Sequence, residues 1–237
     1  MKALIMAGGK GTRLRPYSAT LPKPLVPIGE EPVLEILLRR LAGAGVDHAI
    51  LAVNHLRHLI EAYFGDGSRM GLKITYCYEE RPLGTAGPIG QAIDMLGDTF
   101  LVTNGDLLTT LDIRKMIAIH RVSGADATIG AYRRELKSDF GILEVDETMR
   151  LTAYREKPVT SHLVSMGLYV LEKAAVRPHV APQTPLDMPD LLRAMAASGE
   201  TVRCFEDDCF WLDIGRPEDF DTAQRLWTEN PAFFIAA

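Results

Sequence analysis

Lys2-Ala3-Leu4-Ile5-Met6-Ala7-Gly8-Gly9-Lys10-Gly11-Thr12-Arg13-Leu14 is the stretch whose reading decides the fold. Ala3 to Ala7 run without a polar break and then meet three glycines within four positions. A short apolar run that does not alternate reads as a strand buried on both faces. Glycines just past it let the backbone turn tightly and approach a ligand with no Cβ in the way. Bare N–H groups in such a loop form a concavity for anions. The local charge agrees, because Lys2, Lys10, Arg13, Arg15 and Lys23 all precede Glu30, the first acidic residue. A wholly basic opening on a chain of net charge −5 points to a focused polyanion site, such as one for a triphosphate. On the glycines alone, a solvated turn fits equally well. Spacing removes two other readings. A Walker A loop needs G-x-x-x-x-G-K-[ST], which Lys10-Gly11-Thr12 does not complete, and a dinucleotide fingerprint needs glycine where Leu14 stands.

Beyond the loop, strand and helix periods alternate. Strands are expected at Ala49–Val53, Ile74–Tyr78 and Phe100–Thr103. Helices are expected over Pro32–Ala44, Leu56–Phe64, from a Thr85 cap to about Leu96, and over Ile113–Val122. Strand–helix alternation of this length implies a parallel sheet covered by helices on both faces. After Ser123 the pattern turns to strands at Thr128–Ala131, Ile142–Val145, Leu151–Arg155 and Leu163–Leu171, with helices over Asp187–Ala197 and Pro217–Trp227. No Gly/Ser-rich linker divides the halves. One domain with two lobes is expected, about 1–123 and about 124–237. No internal repeat is visible, and no hexapeptide repeat follows Trp227, so no C-terminal β-helix is expected.

The 237 residues are 47 % hydrophobic and 24 % charged, an ordinary globular composition that excludes a disordered chain. A net acidic chain lacks the dominant basic face that nucleic acid or an anionic membrane requires. Three cysteines with no C-x-x-C pair fit a reduced, cytoplasmic setting. The apolar start is too short for a signal peptide or membrane span. His55 and His58 are three apart on an expected helix, where a solvated face is preferred to a zinc site. The apolar tail Phe233-Phe234-Ile235 could pack on its own domain or on a second subunit, so a homo-oligomer stays open.

Five separated motifs then carry a resemblance. Gly8-Gly9-Lys10-Gly11-Thr12-Arg13-Leu14 with Leu21-Pro22-Lys23-Pro24-Leu25, Pro82-Leu83-Gly84-Thr85-Ala86-Gly87, Asn104-Gly105-Asp106, Glu156-Lys157-Pro158 and Trp211-Leu212-Asp213-Ile214-Gly215 follow in order over nearly the whole chain. Together they resemble the sugar-1-phosphate nucleotidylyltransferases. The form Leu83-Gly84-Thr85-Ala86-Gly87 is most similar to the guanylyltransferases of mannose type. The implied fold is α/β: a Rossmann-like, mixed but mostly parallel sheet flanked by helices, of nucleotide-diphospho-sugar transferase type, in a single domain.

The resemblance also implies roles. Ala7, Gly8, Gly9, Gly11, Thr12, Gly84 and Thr85 would bind the nucleotide, with Gly84 near the base. Arg13 would contact the β- and γ-phosphates, and Lys23 the transferring phosphate. Asp106 and Asp213 would hold Mg²⁺, a hard ion that shares oxygen ligands with substrate phosphates. Gly141, Glu156, Lys157 and Ser165 would receive the sugar phosphate. Ser165 stands where many relatives carry Asn, a shorter reach to a sugar hydroxyl. Taken singly, these residues have plainer readings: Asp106 as a turn or cap residue, Asp213 as a turn aspartate beside Gly215, Lys23 as a solvated cation, and Glu156-Lys157 as an exposed charge pair. The implied partners are an NTP and a sugar 1-phosphate, with a nucleotide-sugar and pyrophosphate as products. A homologue that binds a nucleotide-sugar without turnover is the rival. It should have lost Arg13, Lys23 or a metal carboxylate, and this chain keeps all of them.

Overall fold

The computed structural model describes residues 1–9, 11–14 and 17–235; the expected cations Lys10 and Arg15 lie outside the described residues. The first half contains β1 (Lys2–Met6), β2 (Pro27–Ile28), β3 (Glu31–Pro32), α1 (Val33–Gly43), β4 (His48–Val53), α2 (Arg57–Phe64), β5 (Lys73–Tyr78), α3 (Gly87–Ala92), β6 (Thr99–Asn104), β7 (Leu107–Thr109) and α4 (Ile113–Ser123). The second contains β8 (Ala127–Lys137), β9 (Ile142–Val145), β10 (Leu151–Arg155), β11 (Val159–Glu172), α5 (Lys173–Val176), α6 (Met188–Ser198), β12 (Val202–Glu206), β13 (Trp211–Asp213), α7 (Pro217–Glu229) and α8 (Ala232–Ile235).

Seven strands form one sheet in the order β12-β8-β11-β6-β1-β4-β5. Only β11 runs antiparallel to its neighbours. The alternation of β1 explains the two cores. Ala3 and Ile5 face α1, α2 and α4, whereas Leu4 faces α3, α5 and α6. β1 is central and fully paired, with β4 on one side and β6 on the other, so both faces demand apolar residues. The chain builds outward from β1 through β4 and β5, then returns to its other side with β6. That reversal places a crevice at the carboxyl ends of β1 and β6. Gly105 closes the join by donating its N–H to the Met6 carbonyl (3.0 Å).

A third apolar cluster lies beside the sheet. Leu14, Val26, Ile36, Leu108, Ile214, Phe220 and Phe234 are buried together there. Phe234 is fully buried and stacks on Trp227 with centroids 6.2 Å apart, so the tail packs on its own domain.

Several expectations need correction. Thr85 does not cap α3, which begins at Gly87 behind Ala86 with no side-chain cap. The helix also stops at Ala92 rather than Leu96; the carbonyls of Met95 and Leu96 are taken by the ammonium groups of Lys2 and Lys173. His55 precedes α2 rather than lying on it. The expected strands at Thr128–Ala131 and Leu163–Leu171 are the inner parts of β8 and β11. Their pairing continues outward to Val159 opposite Lys137, as an exposed ribbon whose charged residues gave no apolar signal. The edge strand β12 was hidden by its charged residues, and the antiparallel pair β7–β13 by its brevity.

Helix α3 packs closely on residues 181–187. A Cβ added at Gly90 would stand 2.5 Å from the Ala181 carbonyl oxygen, and one at Gly87 would stand 2.7 Å from that of Thr184. Helix propensity alone credits Gly→Ala with about 1 kcal/mol of stabilisation. The contact predicts the opposite sign: Gly90→Ala should lose about 1–3 kcal/mol through overpacking, read as a lower urea midpoint. A midpoint at or above wild type would remove this packing argument.

Candidate active site

Two chambers open at the β1/β6 crevice, and a third shares lining residues with them. The first, about 390 Å³, has Gly8, Gly9, Asn54, Glu79, Leu83, Gly84, Thr85 and Asn104 on its walls. The second, about 230 Å³, is lined by Gly9, Gly11, Thr12, Pro24, Gly105 and Gly215. The third, about 720 Å³, is lined by Tyr132, Arg134, Trp211, Arg216 and Asp219, among others. Arg13 lines all three; Lys23 and Asp106 line the first two, and Asp213 the first and third.

The centre of the crevice is an ion cluster. Asp106 lies between β6 and β7, one residue past Gly105, and Asp213 ends β13. The β7–β13 ladder pairs Leu107 with Asp213, which holds the two carboxylates at adjacent positions. The Ile214 N–H donates to the Asp106 carbonyl (3.1 Å) and seals the join. Lys23 enters from the turn Lys23–Leu25, stiffened by prolines on both sides, and its ammonium pairs with Asp106 Oδ2 and lies 3.7 Å from Asp213 Oδ1. Burial and the Asp106 carboxylate push the Asp213 carboxyl up to about 6, against the opposing pull of Lys23 and Arg13. Oδ1 of Asp106 and Oδ1 of Asp213 are buried with no hydrogen-bond partner among the described residues. Two inward carboxylates with spare oxygen lone pairs suit a divalent ion that brings its remaining ligands from a phosphate chain. Among the described residues no group of three or more His, Cys, Asp or Glu could hold a metal by itself.

The glycine loop has its own constraints. Gly11 sits at φ +59°, a left-handed conformation, and its carbonyl accepts from Ser18 Oγ (2.5 Å) and Leu14 N–H (2.9 Å). A Cβ at Gly8 would come within 3.0 Å of Glu79 Oε1. Ala7 lines none of the chambers; it is buried, and its N–H donates to the Ala52 carbonyl (2.8 Å).

Gly141, Glu156, Lys157 and Ser165 also lie outside these chambers. Gly141 and Glu156 instead meet at Tyr154, whose hydroxyl donates to Glu156 (3.0 Å); a Cβ at Gly141 would strike that hydroxyl at 2.4 Å. Lys157 is exposed at φ +41°, in the turn between β10 and β11. Ser165 stands at the bulge of β11 with its Oγ bonded to the Tyr169 hydroxyl (2.9 Å).

Glu79 is the site residue that sequence reasoning missed. It follows β5 and accepts the Leu83 N–H on Oε2 (3.1 Å), and burial raises its pKa. Its signal was its place at the carboxyl end of a strand, obscured by the neighbouring Glu80 and Arg81.

A family model described as Nucleotidyl transferase matches residues 2–230. The chain belongs to this family. Among its relatives, a mannose-1-phosphate guanylyltransferase of Mycobacterium tuberculosis is 38 % identical, over 92 % of this chain and 62 % of its own. A UTP–glucose-1-phosphate uridylyltransferase of Synechocystis is 35 % identical, over 95 % of this chain and 63 % of its own. The chain therefore spans under two thirds of the length of these relatives. HddC from Yersinia pseudotuberculosis, solved with GMP-PN, superposes with a TM-score of 0.74 at 26 % identity, over 95 % of this chain and 99 % of its own. The mixed, mostly parallel sheet expected from the sequence is the fold of the family. The three cysteines are free thiols, and among the described residues no helix is long and apolar enough to cross a membrane.

A carboxyl pKa raised by folding means that the native state binds more protons than the unfolded chain between about pH 4 and 6. Stability should fall as pH rises through that window. Metal-free Asp213→Asn should lose that slope and gain about 1 kcal/mol at pH 8, a figure discounted because the side chain is 45 % exposed. Urea unfolding in chelator across pH 4–8 measures both; parallel curves for the two proteins would refute the strain.

Proposed function

We propose that the protein transfers a nucleotidyl group from an NTP to a sugar 1-phosphate, giving a nucleotide-sugar and pyrophosphate. The observation that carries this reading is the convergence of Arg13, Lys23, Asp106 and Asp213 in one crevice of a nucleotidyl transferase fold. The lobe at about 1–123 takes the nucleotide. The lobe at about 124–237 contributes Asp213 and the sugar set, Gly141, Glu156, Lys157 and Ser165. The three free thiols accord with a cytoplasmic enzyme.

The chemistry needs little more than charge and position. A phosphate monoester has a second pKa of about 6, so the sugar phosphate is largely dianionic at neutral pH and is its own nucleophile. Its oxygen bonds to the α-phosphorus as the bond to the pyrophosphate oxygen breaks, and no general base is required. Lys23 and Lys157 offset the repulsion between the two anionic reactants, and Arg13 takes up the negative charge growing on pyrophosphate. Gly8, Gly9, Gly11 and Thr12 hold the phosphate chain by backbone N–H groups. Asp106 and Asp213 would hold Mg²⁺, which when bound neutralises phosphate charge. Lys23 lies between them, so it must move or share its carboxylates as the substrate enters.

Glu79 supports GTP as donor. A carboxylate accepts hydrogen bonds and gives none when ionised. Guanine offers N1–H and the N2 amine side by side, a donor pair that matches it. Uracil and thymine offer one N3–H between two carbonyl oxygens, which a carboxylate repels. A bidentate match of this kind is worth about 1–3 kcal/mol of discrimination. A mannose- or heptose-type sugar is the acceptor proposed, in line with the name of the Mycobacterium tuberculosis relative. Uridylyl transfer is the second reading, favoured by the Synechocystis relative.

Pyrophosphate release with five NTPs and a panel of sugar 1-phosphates tests the reading. Release should require both substrates and vanish in Asp106→Asn. Arg13→Ala should turn over about 10²–10³ slower, as when one preorganised donor is lost; near wild-type turnover would end its role. Glu79→Gln should lower the GTP-over-UTP ratio of kcat/KM by about tenfold. An unchanged ratio would detach base choice from Glu79.

A further inference from the structure

The segment before α6 comes from the second half of the chain, yet it is hydrogen-bonded to residues 83, 85, 86 and 87. The Leu186 N–H donates to the Leu83 carbonyl (2.9 Å), and the Leu186 carbonyl accepts from both Ala86 N–H (2.8 Å) and Gly87 N–H (3.0 Å). Asp187 completes the set. Its Oδ1 accepts from the Thr85 N–H (3.0 Å) and from Thr85 Oγ1 (3.3 Å), while Thr85 Oγ1 accepts from the Met188 N–H (2.8 Å). The same Oδ1 lies 2.6 Å from where a Cβ of Gly84 would stand, and Gly84 is left-handed at φ +78°. Thr85 has thus committed its N–H and hydroxyl away from the chamber it lines. Apart from the Glu79 carboxylate on the Leu83 N–H, the turn's side-chain support comes from the segment before α6, and the α3 helix that follows the turn has no side-chain cap.

We propose that Asp187 is a positioning residue: it fixes the Gly84–Thr85 turn so that the chamber between Gly8, Glu79 and Gly84 is preformed for the nucleoside of the NTP. The inference rests on the nucleotide reading above. Asp187 acts through Gly84 and Thr85 and touches no substrate. What it positions is contacted alike before and during reaction, so its loss weakens nucleotide binding and spares the chemical step. Oδ1 acts as an acceptor, so an amide oxygen in its place keeps the function.

The test compares Asp187→Ala, Asp187→Asn and, as a control on the same helix, Asp190→Ala. Nucleotide affinity is read by calorimetry, KM and kcat by pyrophosphate release, and order of the loop by hydrogen exchange at the Thr85 amide without substrate. Asp187→Ala should raise the nucleotide Kd and KM about tenfold, the scale of one lost hydrogen bond to a charged group, with kcat within about threefold. Its Thr85 amide should exchange faster, while Asp187→Asn and Asp190→Ala stay near wild type in all readouts. Equal losses in the Ala and Asn variants, a fall in kcat alone, or unchanged Thr85 exchange would overturn the positioning role. Wild-type protein that binds no NTP, with Thr85 exchange still dependent on Asp187, would overturn the nucleotide reading and leave Asp187 a purely structural clamp.

Discussion

The contact of Lys23 with Asp106 and Asp213 is the constraint around which this molecule is arranged. Two carboxylates held at neighbouring positions repel each other, and burial makes Asp213 harder to charge. One ammonium from a proline-stiffened turn offsets both. Three separate pieces of chain must be brought to one point for that to happen, and each is anchored by apolar burial. β6 lies in the sheet, β13 is tied to β7, and the Lys23 turn rests on Leu25 and Val26. A polar centre of this kind contributes little net stability; a divalent ion and a phosphate chain can exploit it.

Much of this was legible before any coordinates. The first strand, the glycine loop and the alternation of strand and helix as far as Ser123 follow from periodicity, because buried parallel strands must be apolar throughout. The order of motifs located Arg13, Lys23, Asp106 and Asp213, and the structure gathers all four. Periodicity failed where burial does not set the residue type. The outer halves of β8 and β11 are held by ladder hydrogen bonds between polar residues, and β12 is a charged edge. Glu79 and Asp187 were also missed. Each accepts a backbone N–H of the 83–85 turn: Glu79 from four residues away, its strand-end signal obscured by its charged neighbours, and Asp187 from a hundred residues away, a pairing that leaves no mark on local sequence.

Glycine has two distinct uses in the crevice. At Gly11 and Gly84 the backbone is left-handed, so the residue type is set by conformation. At Gly87 and Gly90 the helix could carry a side chain, but the 181–187 segment lies where it would go. The second use lets the two halves of the chain pack in direct contact outside the sheet. The wall carrying Gly84 and the segment that supports it are a hundred residues apart, yet they form one surface.

The burial of Ile214, Phe220 and Phe234 with Leu14, behind the glycine loop, has a consequence for the order of assembly. As the chain leaves the ribosome, β1, β4, β5 and β6 can pair early, and Lys23 can already find Asp106. The loop bearing Arg13 finds early support from Val26, Ile36 and Leu108, but its apolar cluster is complete only when residues 214–234 arrive. Contacts spanning some two hundred positions are slow to form. Until then the nascent chain carries its third core half-built, with apolar surface exposed that the folded chain buries.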